Sequence, residues 1–202
     1  MGTERQARID EVFRRRQPDL TVVMENIHDP HNVSAMLRTC DAAGIPRVQL
    51  VYTQERLPDI GKKSSASAKK WVERRPFRSI GDCYTMLRSE GFAIYATGIE
   101  KNAESLYSVD MRRKIAIVFG NEHRGVSAEA TKKADGVISI PMFGMIQSLN
   151  VSVACAVILF EAVRQRVGAG KYDGTGLADD EIRKVLERSR RVRKGWKKTE
   201  SE

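Results

Sequence analysis

The apolar positions of the chain change period several times, and each change marks an element. Over residues 4–16, Ile9, Val12 and Phe13 share one helical face, arginines occupy the rest, and Pro18 ends the helix. Thr21–Glu25 is short and rich in β-formers and predicts a strand. Over 31–43, Val33, Met36, Leu37 and Cys40 return at helical spacing, and Gly44 stops the helix. Arg47–Tyr52 predicts a second strand. Residues 53–78 are polar and basic and show no strong period. Ser79–Glu90 reads as a helix closed by Gly91. Residues 92–97 and 114–119 are short, continuous apolar runs, the pattern of buried parallel strands. A short helix at 127–133, a strand at 136–140 and a long apolar helix at 149–165 follow. A last helix, 179–195, carries Ile182, Val185, Leu186 and Val192 on one stripe, with Trp196 behind it.

Strands alternating with helices imply an α/β fold with a mostly parallel sheet flanked by helices. The expected organisation is a basic helical extension (1–18), a main domain (19–167), and a glycine-rich linker with a basic helix (168–202). Four glycines in 168–176 suit a flexible linker. No Gly-x-Gly-x-x-Gly opens a helix after a strand. Gly168-Ala-Gly-Lys lacks the spacing of a phosphate-binding loop and follows a helix. A Rossmann nucleotide site and a P-loop are both disfavoured.

Charge narrows the partner. The 202 residues carry a net charge of +9, with 41% hydrophobic content, enough for one core. A polyanion is the favoured partner, nucleic acid before anionic membrane. The longest apolar run, near Val153–Phe160, is too short to span a bilayer. The polar start, Met1–Gln6, carries no signal-peptide pattern. Basic side chains concentrate in two runs. Residues 60–80 hold Lys62, Lys63, Lys69, Lys70, Arg74, Arg75 and Arg78 against Glu73, and residues 183–198 hold nine against Glu187. Each run could be a solvated face, but together they favour RNA or DNA binding. Trp71 and Trp196 could stack on bases or serve as packing anchors. Cys40, Cys83 and Cys155 are odd in number and far apart, which argues against a disulfide framework and a zinc site. They read as small core residues of a protein in the reducing cytoplasm.

Several residues could carry chemistry. In the stretch 140–162, Pro141 and Gly144 break the strand, and Ser148 is a candidate N-cap for the long helix. Gly144 is expected to adopt positive φ or to admit close backbone approach of a ligand. Asn150 and Ser152 open a helix that otherwise looks buried, so they require partners, either local carbonyls or a ligand. Glu122 follows the strand 115–119, where open α/β sheets bind ligands, although pairing with Arg124 is the plainer reading. Asn32 stands near the start of its helix and could cap it. Arg38 lies six residues further, about 600° of turn, so the two are not stacked. His123 could act as a base, but a lone loop histidine is more often incidental.

Three stretches occur in order: Asn32-Val-Ser-Ala-Met-Leu-Arg-Thr, Ile117-Val-Phe-Gly-Asn-Glu-His-Arg-Gly-Val-Ser, and Ile140 to Ala162. Together they resemble the motifs of the SpoU/TrmH branch of the SPOUT class of RNA ribose 2′-O-methyltransferases, over about residues 3–195. The resemblance implies a C-terminal trefoil knot around 115–167, a homodimer, and S-adenosylmethionine as methyl donor, with no metal. It implies transfer to a ribose 2′-hydroxyl in tRNA, at guanosine 18 of the D-loop. Alternatives are another tRNA site, ribosomal RNA, or a non-catalytic RNA-binding module of the same fold. Carried over by residue, it makes Arg38 catalytic, puts Asn32 beside it, and has Glu122 organise the acceptor side. Ser148 and Asn150 would place the ribose or the donor's charged end. Thr97, Gly98, Gly120, Ile140, Ser148 and Leu149 would bind the donor. A guanidinium is a poor base at neutral pH, so Arg38 could act as base, as stabiliser of the developing alkoxide, or as a phosphate clamp.

Overall fold

The computed structural model describes residues 3–54, 68–100, 103–174 and 177. The expected helix 179–195, Trp196, and Lys62 and Lys63 of the 60–80 basic run lie outside them. Two strands form the centre. β1 (Leu20–Glu25) and β6 (Ile115–Phe119) are buried at every position and pair in parallel. Around them lie β2 (Arg47–Val51), β3 (Glu73–Phe77), β4 (Ala93–Thr97), β5 (Glu104–Ser105) and β7 (Gly136–Ser139). The order across the sheet is β3-β2-β1-β6-β4-β7-β5, and every pairing is parallel. A parallel sheet buries both faces, which is why the central strands are continuous apolar runs.

The two faces follow the strand period of two. Val22, Met24, Ile115 and Ile117 face α2 (Pro30–Ala42) and α6 (Val151–Gly168), whose Val33, Met36, Leu37, Cys155, Ile158 and Leu159 complete that layer. Val23, Ala116 and Val118 face the other way, onto α4 (Ile80–Ser89) and α5 (Ala128–Lys133). All three cysteines are buried free thiols.

The helix starts differ from the sequence expectation. Asp29 caps α2, accepting from the His31 N–H at 2.8 Å, with Pro30 at the first helical position. Asn32 is therefore inside the first turn and is not the cap. Asn150, not Ser148, caps α6, accepting from the Ser152 N–H at 2.8 Å. Asn150 is exposed and Ser152 half-buried, so burial alone does not demand a ligand there. The apolar run of α6 becomes core only from Cys155 onward. Two edge strands and the short helix α3 (Ala68–Trp71) were not anticipated. β3 reads Glu-Arg-Arg-Pro-Phe because an edge strand needs no apolar run and tolerates proline.

The terminal segments are stitched to the body. α1 (Thr3–Arg14) buries Ile9 and Phe13 against Leu177, with Trp71 edge-on to Phe13 at 6.1 Å. Trp71 is thus a packing anchor. Val12 points outward, so the apolar face is narrower than predicted. The start of the glycine stretch is held rather than loose. The Lys171 carbonyl accepts from Gln17, and the Tyr172 hydroxyl donates to the Ala43 carbonyl at 2.8 Å.

Beneath this stitch lies Arg166, fully buried at the end of α6. It pairs with Asp19 and donates to the carbonyls of Met111 and Arg113 and to Gln17. Lys171 pairs with the other Asp19 oxygen. Burial raises the Asp19 pKa, but Lys171 and Arg166 outweigh it and hold the carboxyl below 3.8. Truncating one partner strands the rest of such a network. Arg166→Ala is expected to cost about 3–5 kcal/mol of stability. Urea denaturation checks this, and a loss below about 1 kcal/mol would show that water replaces the guanidinium freely.

Candidate functional site

The candidate residues gather at the C-terminal edge of the sheet, the end where open α/β sheets take ligands. Adjacency follows from strand order. Gly120 follows β6, Thr97 ends β4 and Gly98 follows it, and Ile140 follows β7, and these three strands are neighbours. The Thr97 hydroxyl donates to the Val118 carbonyl at 3.0 Å, and the Gly98 N–H donates to Ile138 at 3.0 Å. The loops that leave these strands therefore start side by side.

The turn after β6 is built for tightness. The Gly125 N–H donates to the Asn121 carbonyl at 2.8 Å, with Gly125 at φ 69°. A Cβ on Gly120 would lie 2.1 Å from the Gly125 carbonyl, so no side chain fits there. Asn121 accepts from the His123 and Arg124 N–H groups, closing the turn from inside.

Glu122 projects from this turn onto the start of α2. Its carboxylate accepts from the N–H of His28 at 2.9 Å, the N–H of Asp29 at 3.0 Å and the Asn32 amide at 2.9 Å. An acidic group at a helix N-terminus meets unpaired N–H donors and the positive end of the dipole. Partial burial raises the Glu122 pKa, but these donors outweigh it and bring it below 4.5. The plain pairing with Arg124 is not the bond that Glu122 makes.

A third partner completes a chain. The Asn150 amide donates to the Asn32 carbonyl oxygen at 3.2 Å. Asn150 in turn accepts from the Ser152 N–H and hydroxyl. One carboxylate thus orients two amides. Glu122 can only accept, so Asn32 turns its NH₂ to it and its oxygen to Asn150, which leaves the Asn150 oxygen for the helix cap. The three sequence motifs meet in this line.

Not every predicted residue joins it. Arg38 lies about 9 Å further along α2 and is exposed, with no carboxylate partner among the described residues. Ser148 is exposed, and Leu149 and Ile140 are half-buried. Gly144 does not have positive φ, and a Cβ there meets open space within the chain, so of its two expected roles the positive φ is excluded. Around it, Phe143 and Met145 are 97% and 100% exposed, an apolar surface without cover. Sequence reasoning also missed Asn26, which bridges the ends of three strands. Its one signal was an asparagine immediately after a strand.

A parallel sheet with polar loops from adjacent strands, tied to a helix N-terminus, makes this edge a ligand-binding face of an α/β protein. The chain belongs to the SpoU rRNA Methylase family, whose model matches residues 19–160. It is 50% identical over 182 residues to the tRNA (guanosine(18)-2′-O)-methyltransferase of Thermus thermophilus, covering 90% of this chain and 93% of that one. The crystal structure of the TrmH/SpoU tRNA modifying enzyme of A. aeolicus superposes with a TM-score of 0.87 at 36% identity, over 94% of this chain and 96% of that one. The SpoU methyltransferase AviRb of Streptomyces viridochromogenes, solved in complex with AdoMet, matches at TM-score 0.68 and 25% identity, over 76% and 62%.

The lowered Glu122 pKa has a measurable consequence. Its contribution to stability is complete well above pH 4.5 and is lost as pH falls through the folded value. Glu122→Gln is expected to cost about 1–3 kcal/mol at neutral pH and to flatten the acid limb. Urea midpoints between neutral pH and the acid limb read both effects, and an acid limb identical to the wild type would remove Glu122 from the clasp.

Proposed function

We propose that this protein methylates the ribose 2′-hydroxyl of guanosine 18 in tRNA. The observation that carries this reading is the Glu122–Asn32–Asn150 chain, which brings the three motifs together at one sheet edge. Likeness to the Thermus enzyme over nearly its whole length supports the tRNA site. The net charge of +9 suits a polyanionic substrate.

The residues present fit an S-adenosylmethionine site. Thr97, Gly98, Gly120, Ile140, Ser148 and Leu149 offer backbone groups and apolar walls from neighbouring loops, the equipment needed to hold an adenosyl group. When bound, S-adenosylmethionine supplies the methyl group. On the acceptor side, the 2′-oxygen gives up its proton as the new O–C bond forms. Arg38 stands exposed and without an acidic partner among the described residues. Its guanidinium can stabilise charge on that oxygen or clamp the adjacent phosphate. Ser148 and Asn150 meet the ribose or the donor's charged end in this reading, which their place at the start of α6 supports. Asn32 and Glu122 act by holding α2, and with it Arg38, at a set position.

Several further features belong to the reading. The chain acts as a homodimer. Val153, Phe160 and Val167 recur every seven residues on the exposed side of α6, and Phe143, Met145 and Ile146 are exposed in the loop before it, apolar side chains that a second copy would cover. Residues 115–167 form a trefoil knot, a reading supported by family membership. The unit 19–167 carries the chemistry, and the extensions 1–18 and 168–202 contact RNA. The enzyme works in the cytoplasm.

Incubating the protein with unmodified tRNA and labelled donor, then mapping 2′-O-methyls by mass spectrometry, tests the function. One methyl on guanosine 18 is expected, and no transfer to any tRNA would overturn the reading. Arg38→Ala should abolish transfer while donor affinity by calorimetry stays unchanged. Arg38→Lys should fail too, because an ammonium lacks the planar fork. Near-normal turnover by Arg38→Lys would remove the guanidinium from the mechanism.

The basic tail makes a separate prediction. Leu177 packs on Phe13, so truncation should keep it and remove residues 178–202. Affinity for tRNA is expected to fall, with the slope of log affinity against log salt reduced by about 1 per lost phosphate contact. Equal slopes for both proteins would leave the tail outside the footprint.

A further inference from the structure

Asn26 follows β1 directly and is the one non-glycine among the described residues with positive φ, at 50°. Asparagine tolerates this region better than other side-chain-bearing residues. The residue is 6% exposed, and nearly all its polar atoms are committed. Its N–H donates to the Val51 carbonyl at 2.9 Å, extending the β1–β2 ladder by one bond. Its Oδ1 accepts from the N–H groups of Thr53 at 2.9 Å and Gln54 at 3.2 Å, and its Nδ2 donates to the Thr53 hydroxyl at 3.1 Å. Its main-chain carbonyl accepts from the Asn121 amide at 2.8 Å.

These bonds join three strand ends. Through Thr53 and Gln54, Asn26 holds the exit of β2. Through Asn121, it holds the turn after β6, the turn from which Glu122 reaches α2. The next residue is held from the same side, because the Tyr52 hydroxyl donates to the Ile27 carbonyl at 3.0 Å. The loop entering α2 is thus pinned by β2 on one side and by the Glu122 turn on the other. A left-handed residue is needed because the chain must reverse its carbonyl toward Asn121 while the side chain points at Thr53.

We propose that Asn26 is a positioning residue for methyl transfer: its side chain anchors the loop entering α2 to the exit of β2, its carbonyl holds the Glu122 turn to that anchored loop, and the side-chain anchor thereby sets where Asn32 and Arg38 stand. The proposal rests on the methyltransferase reading for its catalytic consequence, and on hydrogen bonds alone for its structural one. The side-chain bonds and the backbone conformation are separable by substitution. Asn26→Gly keeps positive φ at no steric cost and keeps the carbonyl bond to Asn121, but loses the bonds to Thr53 and Gln54. Asn26→Asp keeps the acceptor for both N–H groups and loses the donor to Thr53.

The experiment compares wild type, Asn26→Gly and Asn26→Asp in two readouts. The first is hydrogen exchange of the His28 and Asp29 amides, which report the Glu122 clasp without requiring activity. Asn26→Gly is expected to speed exchange at these two amides by roughly tenfold or more relative to the buried β6 amides, and Asn26→Asp to restore most of the protection. The second is steady-state methyl transfer. Asn26→Gly is expected to lower kcat by roughly tenfold to a hundredfold with KM for tRNA little changed, since misplacement by an ångström suffices for such a loss. A role confined to stability would lower the melting temperature, speed exchange across the whole sheet, and leave kcat of the folded protein intact. Unchanged exchange at His28 and Asp29 in Asn26→Gly would overturn the proposal whatever the activity. Wild-type protein that transfers no methyl group would overturn the functional reading instead, while a localised exchange change would still uphold the structural role of Asn26.

Discussion

One carboxylate without a proton organises the functional edge of this protein. Glu122 can only accept hydrogen bonds, and that one-sidedness propagates. It draws two backbone N–H groups from the loop before α2, turns the Asn32 amide toward itself, and through Asn32 turns Asn150. Helix α6 then begins where the last oxygen in the line can cap it. The bonds are ordinary in strength, and each contributes on the order of 1 kcal/mol. Their effect is geometric: two helices from distant parts of the chain start at positions set by one loop.

The sheet makes this arrangement possible. In a parallel sheet, every strand ends at the same edge, so the loops of motif after motif emerge side by side. The order β1-β6-β4-β7 brings together segments that are far apart along the chain. Helices α2 and α6 pack on one face with their starts near that edge. The tight turn at 120–125 keeps Glu122 close to the sheet, because its two glycines let the backbone fold onto itself without side chains intervening.

Much of this was legible in the residues. Buried strands such as Ile115–Phe119 and amphipathic α2 and α4 declare themselves by period, since burial on one or both sides leaves an unmistakable pattern. The three motifs pointed to Asn32, Glu122 and Asn150, and these do meet. The capping assignments did not survive, because Asp29 and Asn32, or Ser148 and Asn150, are equally able to offer an acceptor oxygen in a string of letters. Only the backbone angle at each position separates them. The edge strands β3 and β5 were invisible for a related reason: half-exposed and short, they carry no apolar period. Asn26 escaped notice because an asparagine after a strand is a weak sign of left-handed φ, and its partners at the ends of β2 and β6 have no local signature at all.

The junction of Phe13 with Leu177 has a temporal side. These residues lie 164 positions apart, yet Leu177 donates its N–H to the Phe13 carbonyl and shares a small cluster with Ile9 and Trp71. Helix α1 is synthesised well before Leu177, so its packing surface is incomplete until that residue has been made. Before that, Trp71 is the partner within this cluster that α1 can meet. The arrival of Leu177 joins segments from the two sides of the main domain into one small apolar cluster.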